Sequence, residues 1–144
     1  MANAPKQVHV GPVGFKPYRP AKGEDYMNEN QKEHFRHILE LWKQQLMEEV
    51  DLTKQHMQSD FENYADPVDR ASQETDFNLE LRTRDRERML LKKIEKSIDQ
   101  LDTDDYGFCE DCGAEIGIKR LEARPTATKC IDCKTLQEMK EKNE

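Results

Sequence analysis

The chain has 144 residues, a formal net charge of −7, and more charged residues (37%) than hydrophobic ones (35%). Such a composition is too polar for a large globular core and is typical of long helices exposed to solvent. No apolar run approaches the ~20 residues of a membrane span, and no basic stripe for phosphates is present, so we expect a cytoplasmic protein that binds neither membranes nor specific DNA sequences.

The N-terminal region, residues 1–27, is predicted to be a flexible arm. Residues 1–23 contain seven of the twelve glycine and proline residues of the chain, and this composition cannot sustain a helix. The aromatic residues Phe15, Tyr18 and Tyr26 are candidates for anchoring this arm to the C-terminal part of the chain.

Residues 28–105 are predicted to form an antiparallel coiled-coil hairpin. Asn28 can cap the first helix, and Gln31 can reach back to complete a capping box. Apolar residues then recur at spacings of three and four to about residue 60: Phe35, Ile38, Leu39, Trp42, Leu46, Val50 and Met57. A second stripe follows Pro67: Ala71, Phe77, Leu81, Leu91, Ile94, Ile98 and Leu101. Two helices of equal length with a short connection predict a hairpin whose tip lies at residues 61–71.

Residues 106–144 are predicted to form a small turn-rich zinc-finger module and a C-terminal helix, with the base of the hairpin completing the globular part. The only four cysteines form two CxxC pairs, Cys109 with Cys112 and Cys130 with Cys133, separated by 17 residues. Because each CxxC turn directs two sulfurs to one point, this spacing favours a four-thiolate zinc site.

Three other uses of the cysteines are disfavoured. Disulfides require an oxidising compartment, and the sequence shows no secretory signal peptide. A redox dithiol usually has one CxxC beside a βαβ pattern, which is missing here. An iron–sulfur cluster also takes four thiolates, but the paired spacing fits a zinc ribbon or finger better. A zinc ion with four thiolates has no open coordination position, so we expect one structural ion rather than a catalytic one.

Two carboxylates near the predicted tip have two compatible roles. Asp66 is a natural N-cap before Pro67 at the first helical position, and Asp69 complements the helix dipole. The same carboxylates would form an acidic tip on a rod about 50 Å long, which could reach into a narrow cavity.

The remaining polar clusters are better explained as solvent-exposed helix surface than as metal-binding or catalytic sites. His34 and His37 could share a metal, but the sequence offers no further ligand close to them. The arginines at positions 82, 84, 86 and 88 alternate with acidic residues, as in an exposed face with salt bridges. No catalytic motif is present, so we do not expect an enzyme.

With these parts assembled, the chain resembles the DksA family of bacterial transcription factors from residue 25 to the C-terminus, almost without gaps. The matching motifs are Tyr26-Met-Asn-Glu, Asp66-Pro-Val-Asp-Arg-Ala71, Leu79-Glu-Leu-Arg-x-Arg-Asp-Arg-Glu-Arg88, Lys92-Lys-Ile-Glu-Lys96, Cys109-Glu-x-Cys-Gly113, Glu115-Ile-Gly-Ile118, Arg120-Leu-Glu-Ala-Arg-Pro-Thr-Ala127 and Cys130-Ile-Asp-Cys-Lys134. Several are long enough to exclude chance, and only residues 1–23 fall outside the match.

The resemblance implies a regulator that binds RNA polymerase directly. DksA-like proteins insert the coiled coil into the secondary channel of the polymerase and, with ppGpp, destabilise open promoter complexes. They lower initiation at ribosomal RNA promoters and favour some biosynthetic promoters. The implied site residues are Asp66, Asp69 and Ala71 as the effector tip, Arg82 and Arg86 at the channel rim, and Leu90, Lys93, Arg124 and Lys134 on this chain's side of a ppGpp site shared with polymerase.

Two alternatives remain open at this point, and we expect a monomer in each case. A Gre-like factor would use the tip carboxylates to hold Mg²⁺ and promote RNA cleavage, which an assay on backtracked complexes would detect. A zinc-finger DNA-binding or adaptor protein is disfavoured by the missing basic stripe, and a gel shift with DNA alone would test it.

Overall fold

The protein is described by a computed structural model over residues 12–63 and 67–143. Two long helices dominate it: α1 spans Glu29–Asn63 and α2 spans Pro67–Asp102. Two shorter helices follow, α3 at Ile118–Ala123 and α4 at Ile131–Lys142. The predicted mainly helical fold, with a hairpin of two packed helices, is confirmed. Within these ranges no helix combines the length and apolarity that crossing a membrane requires.

The start of α1 follows from its capping residues. The Asn28 side chain accepts a hydrogen bond from the backbone N–H of Gln31 at 2.9 Å. The Gln31 side chain in turn accepts one from the backbone N–H of Met27 at 2.7 Å. The predicted capping box is therefore present, with the difference that Gln31 bonds one residue before the cap. Helix α2 begins at Pro67, as the fixed backbone of proline at a first helical position predicts.

The hydrophobic core lies where the first half of α1 meets the last third of α2 and the C-terminal module. Its buried members are Met27, Phe35, Ile38, Leu39, Trp42, Leu46, Ile94, Leu101, Tyr106, Ile116 and Leu121. Ion pairs join the two long helices around this core, including Arg36 with Asp102 at 2.5 Å and Lys43 with Glu95 at 3.6 Å. We call this part of the molecule the base.

The remaining halves of α1 and α2, residues 47–63 and 67–89, form what we call the outer arm. In this part of α2 the predicted apolar stripe is only partly buried, with Phe77 37% exposed and Leu81 38% exposed. In the facing half of α1, Met47 and Leu52 are about half exposed and Val50 is partly buried. Among the side chains that the structure describes here, no large apolar residue is fully buried.

The segment 12–27 packs against the base through its aromatic residues, as expected. Tyr26 donates a hydrogen bond to the Gly107 carbonyl at 2.7 Å and accepts one from the Gly117 N–H at 3.0 Å. The backbone N–H of Tyr18 donates to the Glu122 carboxylate at 2.9 Å. These bonds connect the segment to both sides of the C-terminal module.

The C-terminal module contains one element that the sequence did not predict, the helix α3. The expected turns are present, and Gly107, Gly113 and Gly117 all have positive φ. Glycine is required at 107, since a Cβ there would come within 3.0 Å of the Tyr26 hydroxyl and of the Met27 side chain. Helix α3 has six residues and no side-chain cap, so neither periodicity nor a capping signal could reveal it.

Candidate functional site

The four cysteines converge although they come from two distant turns. Cys109 and Cys112 belong to a turn closed by the antiparallel bridge between Phe108 and Glu115. Cys130 is the N-cap of α4, and Cys133 lies in its first turn. The backbone N–H of Glu110 donates to the Thr128 carbonyl at 2.9 Å, which holds the two turns side by side.

The geometry of this cluster fits a tetrahedral metal site. All four Sγ atoms lie within 4.8 Å of one another. The Sγ atoms of Cys112 and Cys130 are 3.7 Å apart. A tetrahedron with zinc–sulfur bonds of ~2.3 Å has an edge of about 3.8 Å, so this separation requires no rearrangement.

The acid–base chemistry of the cluster also favours a cation. Backbone hydrogen bonds from Cys130 and then Cys112 lower the pKa of the Cys109 thiol to about 6. Hydrogen bonds with the neighbouring sulfurs, with Cys130 the largest, raise the pKa of Cys133. Without a positive ion the four sulfurs therefore cannot all be thiolates, whereas a divalent metal would bind all four in that form.

A cleft of about 470 Å³ lies next to this cluster, between α2 and the segment that leads into α4. All four residues implied for the nucleotide site, Leu90, Lys93, Arg124 and Lys134, line it. These residues are far apart in sequence, so their convergence depends on the fold of the base. The Trp42 side chain, which belongs to the core, also contributes to its lining.

The cleft is strongly basic although the chain as a whole is acidic. Its charged lining residues are Lys93, Lys96, Glu110, Arg120, Arg124, Lys129 and Lys134. Six cations thus surround one carboxylate in a single cavity. Such an excess of positive charge at close range attracts polyanionic ligands and gives charge-assisted hydrogen bonds to phosphate oxygens.

Arg82 and Arg86 lie together in a shallow groove on the outer arm. Leu79, Thr83 and Asp85 complete its lining. Residues 79, 82, 83 and 86 recur at helical spacing, so they occupy one face of α2. This face combines an exposed leucine with two arginines, as protein-binding surfaces commonly do.

The predicted tip falls at the connection between the long helices. Asp66 lies outside the described residues. Asp69 and Ala71 lie in the first turns of α2, and the structure describes only their helical backbone. Their predicted role as effector residues therefore stays a prediction.

Two polar features differ from the sequence analysis. His34 does not face solvent as expected, since its Nε2 lies 2.9 Å from the Glu122 carboxylate and its ring packs against Tyr18 at 5.2 Å. Glu87, which was expected on the exposed face of the arginine run, is only 4% exposed and lies between the two long helices. An Asp-Arg-Glu-Arg run on a charged helix gave no signal that one of its members would be buried.

Comparisons with known proteins match nearly the whole chain. Residues 31–101 match the family described as DnaK suppressor protein DksA, N-terminal domain, and residues 104–138 match the prokaryotic dksA/traR C4-type zinc finger. The RNA polymerase-binding transcription factor DksA of Escherichia coli (strain K12) is 61% identical over 130 residues, which make up 90% of this chain and 86% of that protein. The protein of the same name from Haemophilus influenzae is 60% identical over 130 residues, 90% of each chain.

A solved structure agrees with these sequence matches. The structure of transcription factor DksA2 from Pseudomonas aeruginosa has a TM-score of 0.78 to this chain, at 36% sequence identity. The match covers 84% of this chain and 95% of that one. Together with the convergent sulfurs, the match to a C4-type zinc finger confirms one structural zinc ion, for which the four cysteines provide all the ligands.

Proposed function

This chain belongs to the DksA family, and from that premise we propose that it is a transcription regulator that binds RNA polymerase directly and inserts its outer arm into the secondary channel. One observation carries the proposal: two helices of 35 and 36 residues extend from a compact base, and among the described side chains of their outer halves Leu52, Leu79 and Met89 are more than half exposed. At 1.5 Å per residue each helix is about 50 Å long, so the connection between them can reach deep into a channel.

The division of the molecule suggests a division of roles. The base and the groove residues Arg82 and Arg86 would supply affinity for polymerase. The tip residues Asp66, Asp69 and Ala71 would act on the open promoter complex near the active site. Repression of ribosomal RNA promoters and activation of some biosynthetic promoters would then depend on the tip and not on binding strength.

The basic cleft supports ppGpp as the effector. The cavity has a volume of about 470 Å³, and its lining includes Leu90, Lys93, Arg124 and Lys134, of which three are cations. Phosphate groups bind such cations through charge-assisted hydrogen bonds, and arginine can bind two oxygens at once. We propose that polymerase completes this site when the two proteins are in contact.

The test is Asp69→Asn, with Asp76→Asn as a matched control that lies about two turns further along α2 and is exposed. An acidic residue in the first turn of a helix typically contributes about 0.3–1 kcal/mol to folding, so we expect both variants to fold and to bind purified polymerase like the wild type. In a transcription assay at a ribosomal RNA promoter, Asp69→Asn should lose repression and Asp76→Asn should keep it. The proposal would be overturned if Asp69→Asn still repressed the promoter, or if the wild-type protein did not bind polymerase.

We further propose that the protein acts as a monomer and makes no specific contact with DNA. Residues 24–66, which include the whole of α1, carry eleven acidic and four basic side chains, so this part of the chain would be repelled by phosphate backbones. Sedimentation of the free protein and a gel shift with promoter DNA, with and without polymerase, test both statements. A shift by the protein alone would contradict the second.

A further inference from the structure

The basic cleft holds more positive charge than the four family-matched residues account for. Lys96, Arg120 and Lys129 line the same cavity as Lys93, Arg124 and Lys134. Lys96 is one helical turn from Lys93 on α2, whereas Arg120 belongs to α3 and Lys129 to the segment before α4. The additional cations therefore come from both walls of the cleft.

Most of this charge has no partner within the protein. In the part of the chain that the structure describes, Lys93, Lys96, Arg124 and Lys134 make no ion pair. In a chain with a net charge of −7, a cavity lined by unpaired cations is a local repulsion that an anionic ligand would remove. Glu110 is the single carboxylate in the lining.

The other two cations, Arg120 and Lys129, have contacts within the protein that still allow them to bind a phosphate group. Arg120 donates from Nε to the Lys129 carbonyl at 3.2 Å, so the two residues form one unit. Lys129 forms an ion pair with Asp111 at 3.0 Å, and the Asp111 side chain is about half exposed. Exposed pairs of this kind contribute about 0–1 kcal/mol, so a phosphate group can replace the carboxylate at little cost.

The chemistry of the proposed effector calls for two groups of cations. A guanosine tetraphosphate carries one pyrophosphate on each side of its ribose, so its four phosphate groups outnumber the three cations of Lys93, Arg124 and Lys134. Resting on the proposed function, we infer that Lys96, Arg120 and Lys129 form a second phosphate-binding group in this cleft. They bind one pyrophosphate of the nucleotide, and Lys93, Arg124 and Lys134 bind the other.

The experiment measures binding of labelled ppGpp to the complex of the full chain with RNA polymerase, at protein concentrations that saturate the polymerase for every variant. Lys96→Gln and Lys129→Gln each remove one cation of the second group. Lys92→Gln and Lys119→Gln are the charge-matched controls, because these exposed lysines do not line the cleft. Zinc content and melting temperature of each variant establish that it is folded.

We expect Lys96→Gln and Lys129→Gln each to weaken ppGpp binding about tenfold, the scale of one charge-assisted hydrogen bond, and the controls to stay within about twofold of wild type. Asp111→Asn removes the carboxylate that pairs with Lys129. This variant should retain or strengthen ppGpp binding, because the Lys129 ammonium group is then free to bind phosphate. Equal affinity of the cleft variants and the controls would overturn the second group and leave the proposed function intact. Absence of ppGpp binding by the wild-type complex would instead refute the proposed effector itself.

Discussion

The base and the outer arm are built from the same two helices but are stabilised in different ways. In the base, Phe35, Ile38 and Leu39 of α1 are fully buried against α2 and the C-terminal module. In the outer arm, the described contacts between the helices include polar pairs, as between His56 and Glu80 at 2.8 Å. Leu52 and Leu79 of the arm are both 53% exposed. The base therefore has the stability of a folded domain, and the arm depends on the base to align its helices.

This difference has a functional consequence. Apolar side chains that cluster on an exposed surface commonly mark a site of interaction with a partner. In the outer arm they accompany arginines on the face lined by Leu79, Arg82 and Arg86, so the surface suits a protein channel that contributes its own apolar and acidic groups.

The largest expected effect comes from removing a zinc ligand in the base. Cys112→Ser should reduce the zinc content from one ion per chain to a small fraction and lower the free energy of unfolding by several kcal/mol, because metal binding contributes directly to folding. Elemental analysis and urea unfolding measure the two quantities. The basic cleft should be lost in the same variant, since its second wall leads into Cys130. Full zinc content together with native stability would refute the structural role.

The next effect compares the two regions directly on α1. Leu39→Ala in the base should cost about 3 kcal/mol, because the side chain is fully buried and its removal leaves a cavity. Leu52→Ala, the same substitution in the outer arm, should change stability by less than about 0.5 kcal/mol, because the side chain is 53% exposed. Urea unfolding of both variants tests the comparison, and similar losses would show that the arm has a core of its own.

The sequence predicted the base well because its signals are local and strong there. Apolar spacing identified Phe35 through Leu46, Asn28 and Pro67 marked the helix starts, and the CxxC pairs marked the metal. The arm was predicted less well, since Phe77 and Leu81 fit the same helical period although both remain more than one-third exposed. Burial depends on the facing helix, which a one-dimensional pattern does not contain.

The basic cleft also could not be predicted from the sequence, because it depends on residues that only the fold brings together. Its six cations come from α2, α3 and the segments that follow α3, and α3 was not predicted at all. The sequence alone therefore contained no signal that Lys96, Arg120 and Lys129 would meet. The resemblance to a family supplied Leu90, Lys93, Arg124 and Lys134 as a set, and the fold then brought the further cations to them.

A smaller effect concerns Glu87, the one buried carboxylate among the described side chains of the outer arm. Its Oε1 accepts a long hydrogen bond of 3.4 Å from Thr53, and its Oε2 has no partner among the described residues. Burial, and next the nearby Glu49 carboxylate, raise the pKa of Glu87 above its ordinary value of 4.5. The folded protein therefore binds this proton more readily than the unfolded chain does, and stability falls as the pH rises through the raised pKa.

Glu87→Gln should remove that pH dependence. At neutral pH the variant should be more stable than wild type by about 1 kcal/mol, the scale of one unsatisfied buried polar group, and the difference should vanish below pH 4.5. Asp85→Asn, at an exposed neighbouring position, is the control and should show no such gain. Urea unfolding across the pH range measures this, and a variant less stable than wild type at neutral pH would show that the carboxylate has a favourable partner.

We expect the smallest effect on stability from the arginines of the groove. Their effect on polymerase binding should nevertheless be large, because in the proposed function the outer arm contacts the partner whereas the base supplies stability. Arg82 is exposed on α2, as is Arg86, so Arg82→Ala and Arg86→Ala should each change the free energy of unfolding by less than about 0.5 kcal/mol. Each should nevertheless weaken binding to polymerase about tenfold or more, since truncating an arginine at a protein interface can reduce the binding free energy by over 1 kcal/mol. Arg88→Ala is the matched control on the same helix, because Arg88 is exposed and does not line the groove. If all three variants bound polymerase alike, affinity would lie in the base alone and the outer arm would serve only to position its tip.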